Sequence, residues 1–282
     1  MSALQGQSDW IAGRKGVTAD LNGVYMLRIV GKNDEAGLVQ VETRPDAGKT
    51  DIGPRRTFWI EPDLLYPLLK GASDFSACHL HVEEQLYILV PNQGIVRSEY
   101  EAAEERLATL PNTARYFKLF KSLLEKRSTY KLRQKNAPYY SVYNSGAYTF
   151  APYKVVWAEQ SSVFEAAVVT KAPVPLVGSR PFVPDHKIFF ADFAKADVAY
   201  FVCAILNSSL VREYIESHTI QIQVSNIFKH LSIPRFDDSK VAHKRISELC
   251  CAAHKASEGK RPRILQALDK ATDRLLSRER NS

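Results

Sequence analysis

The sequence predicts an α+β fold closed by a C-terminal helical hairpin, on three observations. Short apolar runs broken by Gly, Asn and Pro turns recur through residues 1–60 and 139–190, as strands do. Apolar residues return at helical spacing over 114–127 and 194–217. From Asp237 the composition changes, and two apolar seams at 4-3-4 spacing follow one another. A chain of 282 residues holds one large domain, or a main domain with an appendage. The change at Asp237 predicts a first domain over 1–236 and a helical one over 237–282.

Taken in order, Val24–Val30 reads as a strand and Gly31–Thr57 as a polar hairpin or surface loop. Phe58–Ile60 reads as a strand ended by Glu61-Pro62. Asp63–Gly71 has the look of a short helix stopped by glycine. Gln85–Val90 reads as a strand, and Tyr100–Leu107 as an acidic helix. Ala114–Arg127 predicts one amphipathic helix with Tyr116, Phe117, Leu119, Phe120, Leu123 and Leu124 on its apolar side. Tyr139–Tyr143 and Tyr148–Trp157 predict two strands joined by an Asn144-Ser145-Gly146 hairpin turn. Phe164–Thr170 is a strand, Pro173–Arg180 a loop, and Pro184–Phe190 leads into another strand. Ala194–Ser217 is helical with an interruption at Asn207-Ser208-Ser209, where Ser or Asn caps a second helix. Gln221–Phe228 is extended or irregular, and Leu231–Pro234 a closing strand stopped by proline. Asp237, Asp238 and Ser239 cap a helix with Ala242, Ile246, Leu249 and Ala253 along its seam. After Gly259 and Pro262, a second seam runs Ile264, Leu268, Ala271 and Leu275. Each seam is about two heptads, too short to stand alone in water, so the hairpin must pack on its own domain or on another subunit.

No run of about 18 apolar residues is present, so no membrane-spanning helix is expected. The first ten residues, MSALQGQSDW, lack the basic and apolar regions of a signal peptide. Cys78, Cys203, Cys250 and Cys251 have no paired spacing, which fits reduced thiols and a cytoplasmic location.

The charge is unevenly placed. The chain has 38 Lys and Arg against 31 Asp and Glu, a surplus of +7. The stretch 111–157 holds Arg115, Lys118, Lys121, Lys126, Arg127, Lys131, Arg133, Lys135 and Lys154 against Glu125, with Glu159 at its edge. That accounts for the whole surplus. The same stretch is dense in Tyr and Phe, and a basic stripe with interleaved rings suits nucleic acid.

Several blocks, in this order, resemble a known family. They are Glu61-Pro62-Asp63-Leu64-Leu65-Tyr66-Pro67-Leu68-Leu69-Lys70-Gly71; Leu123–Arg127; Tyr139-Tyr140-Ser141-Val142-Tyr143-Asn144-Ser145-Gly146; Tyr148–Trp157; Ile205-Leu206-Asn207-Ser208; and Ile233-Pro234-Arg235-Phe236-Asp237. Their succession is similar to the C-terminal target-recognition domain of TaqI-like and fused restriction–modification (Type IIG) adenine-specific DNA methyltransferases. The likeness covers roughly residues 14–237. The tail resembles the helices that follow recognition domains in Type I specificity subunits. The resemblance implies a mixed-sheet α+β domain that docks on duplex DNA and reads a short sequence. A separate adenine-N6 methyltransferase subunit or domain, using S-adenosylmethionine, then flips out and methylates the adenine. It also implies a specificity subunit or a fragment of such a system, in the cytoplasm of a bacterium or archaeon, active in phage defence. The C-terminal helices are a candidate surface for self-association.

Chemistry within the chain is expected to be absent. A methyltransferase needs a glycine-rich cofactor loop and an Asn/Asp-Pro-Pro-Tyr/Phe loop; the nearest match, Asn136-Ala137-Pro138-Tyr139, has the wrong second residue. Pro184-Asp185-His186-Lys187 supplies one acid where a metal nuclease needs a cluster. Cys78-His79 with His81, and Cys250-Cys251 with His254, are partial zinc sets without a familiar spacing, so buried thiols and surface imidazoles are expected and no metal.

The expected DNA-binding residues are therefore the cations of 115–135, with Lys154. Asn144, Ser145, Tyr148, Arg55 and Arg56 are the candidates for reading bases from loops. Two rivals remain: a divergent methyltransferase or nuclease acting by itself, and an interaction module that turns its basic face to an acidic protein.

Overall fold

The computed structural model describes residues 5–217 and 224–279, and the chain is α+β. β1 (Arg14–Lys15) precedes one helical turn, α1 (Asn22–Tyr25), which runs straight into β2 (Met26–Asn33). A tight turn with Gly37 at φ 65° leads to β3 (Leu38–Glu42), and β4 (Thr57–Ile60) pairs on its far side. β5 (Leu65–Leu69), the short β6 (Phe75–Ser76) and β7 (His79–Leu80), and β8 (Tyr87–Leu89) follow. A helical stretch comes next, with α2 (Arg97–Ala108), α3 (Pro111–Leu119), α4 (Lys121–Leu124) and α5 (Ser128–Arg133). The chain then returns to strands: β9 (Tyr153–Ala158), β10 (Ala166–Val169), β11 (Lys171–Val174), β12 (Gly178–Pro181), β13 (Val183–Pro184) and β14 (Ile188–Phe193). It ends in α6 (Ala196–Leu206), α7 (Ser209–Ser217), α8 (Val241–Lys255) and α9 (Arg261–Glu279).

The larger sheet is mixed, in the order β13-β5-β8-β2-β3-β4, with β13 parallel to β5 and the rest antiparallel. The smaller is antiparallel, β1-β14-β9-β10. One core lies between the larger sheet and α3–α4, where Tyr25, Met26, Ile60, Tyr116 and Phe117 are buried. A second lies between the smaller sheet and the C-terminal helices, around Trp157, Phe201 and Phe228. A third cluster, with Val156, Phe182 and Phe190, fills the other face of the smaller sheet. Side chains alternate along a strand, so Val155 and Trp157 face the helices while Val156 faces the third cluster. Burial on both faces explains the unbroken apolar runs in β10 and β14. Gly16 lets β1 approach this region, because a Cβ there would stand 2.2 Å from the Asp185 carbonyl oxygen.

Several expectations are corrected. Asp63–Gly71 is a 3-10 turn followed by strand β5, next to the edge of the larger sheet, not a helix. Its apolar run fits either element, and Pro67 disfavours a helix interior. The helix foreseen over 114–127 breaks at Phe120, and Leu119 points outward at 57% exposure. No hairpin forms at Asn144–Gly146. Residues 139–142 form no strand, Tyr143 bridges singly to Thr18, and 147–150 is a 3-10 turn before β9 begins. The loop expected over 173–180 is largely the β11–β12 ribbon. Leu231 makes a single bridge to Gln5 instead of a strand. Of the stretch Gln221–Phe228, residues 221–223 lie outside the described residues, and Val224–Lys229 is a 3-10 turn.

The C-terminal hairpin packs on its own chain. Ile246, Cys250, Ala253, Leu268 and Leu276 belong to the same core as Trp157. The α8 seam is rotated from the expected one: His243, Ile246, Ser247 and Cys250 are buried, whereas Ala242 is exposed. His243 stacks on Phe201 at 4.7 Å, and its Nδ1 accepts the Asp237 amide at 3.0 Å. Asp237 bonds Ser239 and caps no helix directly. No single described helix is long and apolar enough to cross a membrane. The bent pair α6–α7 passes that test by composition, and its apolar residues are the second core.

Candidate nucleic-acid interface

α3 is placed by one carboxylate. Pro111 opens the helix, and Glu61, at the end of β4, receives the Asn112 and Thr113 amides at 3.1 and 2.8 Å. It also accepts Asn112 Nδ2 and Thr113 Oγ1, at 2.9 and 2.7 Å. Burial pushes the Glu61 carboxyl up, but these bonds outweigh it and hold it below its ordinary value. The helix is thereby fixed with Tyr116 and Phe117 inward, and Arg115 and Lys118 outward. Phe120 ends α3 and packs edge-on against Phe58, at 6.2 Å. The Arg56 guanidinium lies over both rings, 5.6 Å from Phe58 and 5.4 Å from Phe120. Arg56 thus joins the cations of α3 and α4 although it lies far from them in sequence.

α5 is placed in the same way from a distance. The Asp20 carboxylate, on a residue at φ 58°, accepts the Thr129 amide at 2.8 Å. Lys131, Arg133 and Lys135 are exposed along α5 and just beyond it. The segment from Tyr139 to Asn144 connects the two groups. Lys121 stands over the Tyr139 ring at 5.3 Å, and Arg133 over Tyr143 at 5.9 Å. Between α2 and α5 an open groove of about 740 Å³ is lined by Arg97, Glu101, Glu104, Arg133, Lys135 and Asn136. Lys121 makes a loose ion pair with Glu125 at 3.8 Å. Arg115, Lys118, Lys126, Lys131 and Lys135 have no ion pair among the described residues, and all are exposed.

Three predicted site residues are removed by burial. Arg127 donates to four carbonyls, those of Leu124, Ala19, Tyr139 and Ser141, at 3.0, 2.9, 2.6 and 2.9 Å. It staples α4 to two loops and offers nothing to a phosphate. Lys154 is fully buried on β9, its Nζ donating to the Ala151 carbonyl at 2.8 Å. Desolvation drives its pKa down to about 7, against the pull of Asp192 directly across the ladder. Ser145 is buried and donates to the Asn92 carbonyl at 2.6 Å. Arg55 is exposed but tied to Glu42 and Asp46 at 3.3 and 3.2 Å, so its charge is locally balanced. Asn144 sits at φ 58° with Nδ2 on Thr18 Oγ1 at 3.4 Å. Tyr148 lies apart, against Phe190 of the smaller sheet, with the Arg14 guanidinium 4.3 Å from its ring centre. Sequence reasoning misses Arg14, because its partner is remote in the chain and no local pattern announces the pair.

The nearest match to a methyltransferase loop is already engaged in contacts within the chain. In Asn136-Ala137-Pro138-Tyr139 the Tyr139 ring is occupied, edge-on to Tyr140 at 5.1 Å and covered by Lys121. It is not a free platform for a flipped base. Asp185 is buried with its carboxylate on His186 Nδ1 at 2.8 Å.

No family model matches the chain. It is similar to the Type II methyltransferase M.NspV of Nostoc sp. (strain ATCC 29411 / PCC 7524), at 27% identity over 186 residues. The match covers 66% of this chain and 36% of that protein. The similarity supports a methyltransferase-related family. This chain therefore corresponds to about a third of the curated relative's length, and the relative's remaining part has no counterpart in the match.

Proposed function

We propose that the chain is the DNA-reading part of an adenine-N6 DNA methyltransferase or restriction–modification system, and that catalysis belongs to another subunit or domain. The observation that carries this reading is the exposed cationic face of α3–α5. There Arg56, Arg115, Lys118, Lys121, Lys126, Lys131, Arg133 and Lys135 are exposed, with Lys121 against Tyr139 and Arg133 against Tyr143. Such a face meets duplex phosphates and releases counterions, which fixes position but reads no sequence. Base readout falls to side chains that project beyond it, Asn144 and Arg56 first among those foreseen. In this reading S-adenosylmethionine is bound by the catalytic partner, and the helices after Asp237 hold the chain in its complex. The partial likeness to a Type II methyltransferase supports the reading.

Calorimetric titration of the purified chain with duplex DNA and, separately, with S-adenosylmethionine tests it. The expected result is binding of duplex DNA and no heat from S-adenosylmethionine. Saturable S-adenosylmethionine binding, or transfer of a labelled methyl group by the chain alone, would overturn the division of labour. Preference for an acidic protein over duplex DNA at equal salt would favour an interaction module instead.

A further inference from the structure

The β6–β7 hairpin carries Cys78 at its turn into the second core. Cys78 is fully buried, and its backbone is left-handed at φ 51°. A residue other than glycine holds that conformation only where its surroundings impose it. Its Sγ lies 3.5 Å from Cys250 Sγ on α8. One turn further along α8, His254 Nδ1 lies 3.8 Å from Cys250 Sγ. The ligand atoms of Cys78, Cys250 and His254 all fall within 4.8 Å of one another. Asn207, at the end of α6, donates its Nδ2 to the Ala166 and Cys203 carbonyls at 2.8 and 2.9 Å, and lies 3.5 and 3.4 Å from Cys78 Sγ and Cys203 Sγ.

We propose that Cys78, Cys250 and His254 bind one zinc ion, with Cys203 the nearest further sulfur to complete a tetrahedron. Zinc bound at about 2.3 Å from each sulfur sets donor atoms roughly 3.8 Å apart, close to the spacings found here. Thiols packed as small apolar groups would also be buried. That reading leaves the left-handed Cys78 unexplained. It also leaves unexplained the neighbouring His79, whose buried Nδ1 has no hydrogen-bond partner among the described residues. An open cavity of about 200 Å³ is lined by Ala77 and Asn207, next to the site, though by none of the three ligands themselves.

Loading releases the Cys78 and Cys250 thiol protons to solvent, and that of Cys203 when it completes the tetrahedron, and leaves each ligating sulfur as a thiolate on the ion. His254 is already bonded, its Nε2 accepting the Val168 amide at 2.9 Å and its Nδ1 facing the Cys250 carbonyl at 2.8 Å. Binding through Nδ1 moves the ring proton to Nε2, which then meets the Val168 N–H as a second donor; both bonds are given up for the ion, so the sulfurs carry most of the affinity. The ion ties the hairpin after β5 to α8 and so pins the C-terminal helices to the sheets. The spacing rules that find zinc sites in sequences miss it, because one member of the first partial set and two of the second, with Cys78 and Cys250 separated by 172 residues, are brought together only by the fold.

The test uses the full chain, purified under reducing conditions, with elemental analysis and a cobalt(II) titration. One zinc per chain, and a sulfur-to-cobalt charge-transfer band on exchange, are expected. Cys250→Ser abolishes both. Cys251→Ser, one residue along the helix, keeps both. A wild-type chain with neither zinc nor the cobalt band, or a Cys250→Ser chain that retains stoichiometric metal, overturns the proposal. Should Cys250→Ser fail to fold, the wild-type cobalt spectrum decides by itself.

Discussion

Arg127 and Lys154 show how far a residue's charge can mislead when its burial is unknown. Both lie in the cationic stretch, and both are inside the protein. Arg127 replaces the backbone partners that two loops lack, so its loss orphans the carbonyls of Ala19, Tyr139 and Ser141, while that of Leu124 keeps the Arg127 amide. Arg127→Met is expected to destabilise the fold by about 2–4 kcal/mol in urea unfolding while leaving DNA affinity per folded molecule unchanged. Lys154 has the opposite sign. Its folded pKa, about 7, lies below its unfolded value, so the folded state binds fewer protons between the two. The penalty is present in full below pH 7 and is relieved as pH rises towards the unfolded value. Lys154→Met should therefore stabilise the protein near pH 6, by roughly 2–4 kcal/mol, with the gain shrinking towards pH 10. A gain independent of pH would show that desolvation of the ammonium is not the cause. Residue types told which side chains carry charge; only the fold told which of them reach solvent.

At the scale of elements, the sequence was most legible where periodicity was long. The α6–α7 break at Asn207, the α8–α9 hairpin, and strands β4, β10 and β14 all follow from spacing and punctuation. The errors fell on short apolar runs, where a strand and a helix look alike, as in β5. They fell also on 139–150, where alternation reflects packing against Arg127 and Asn92 instead of a ladder. The caps were equally hidden. α3 and α5 are capped by Glu61 and Asp20, which lie far away in sequence, so no local capping pattern marks either start. The Glu61 carboxyl is held low in the folded state. Its contribution is present above its unfolded pKa and is lost as pH falls through the folded one. Glu61→Gln should lower the melting temperature near pH 7 and converge with wild type in acid. Parallel melting curves at all pH values would contradict the cap.

At the scale of the molecule, two sheets divide the labour. The larger sheet and α3–α5 present the cations, and the smaller sheet is covered by the C-terminal helices. Ile246 is buried where α8 meets the core shared with Trp157. Ile246→Ala should cost about 2–4 kcal/mol in thermal or urea unfolding, as a deletion in a well-packed core does. A cost near zero would mean that the hairpin contributes little to the fold and serves a partner alone.

The central claim is that the α3–α5 face grips duplex phosphates, and the salt dependence of duplex affinity tests it most directly. Replacing Arg115, Lys118 and Lys121 together by Gln should weaken binding at low salt. It should also flatten the plot of log affinity against log salt by about 2–3 units of slope, roughly 0.9 for each phosphate that is no longer neutralised. A slope and affinity equal to those of the wild-type chain would contradict the claim.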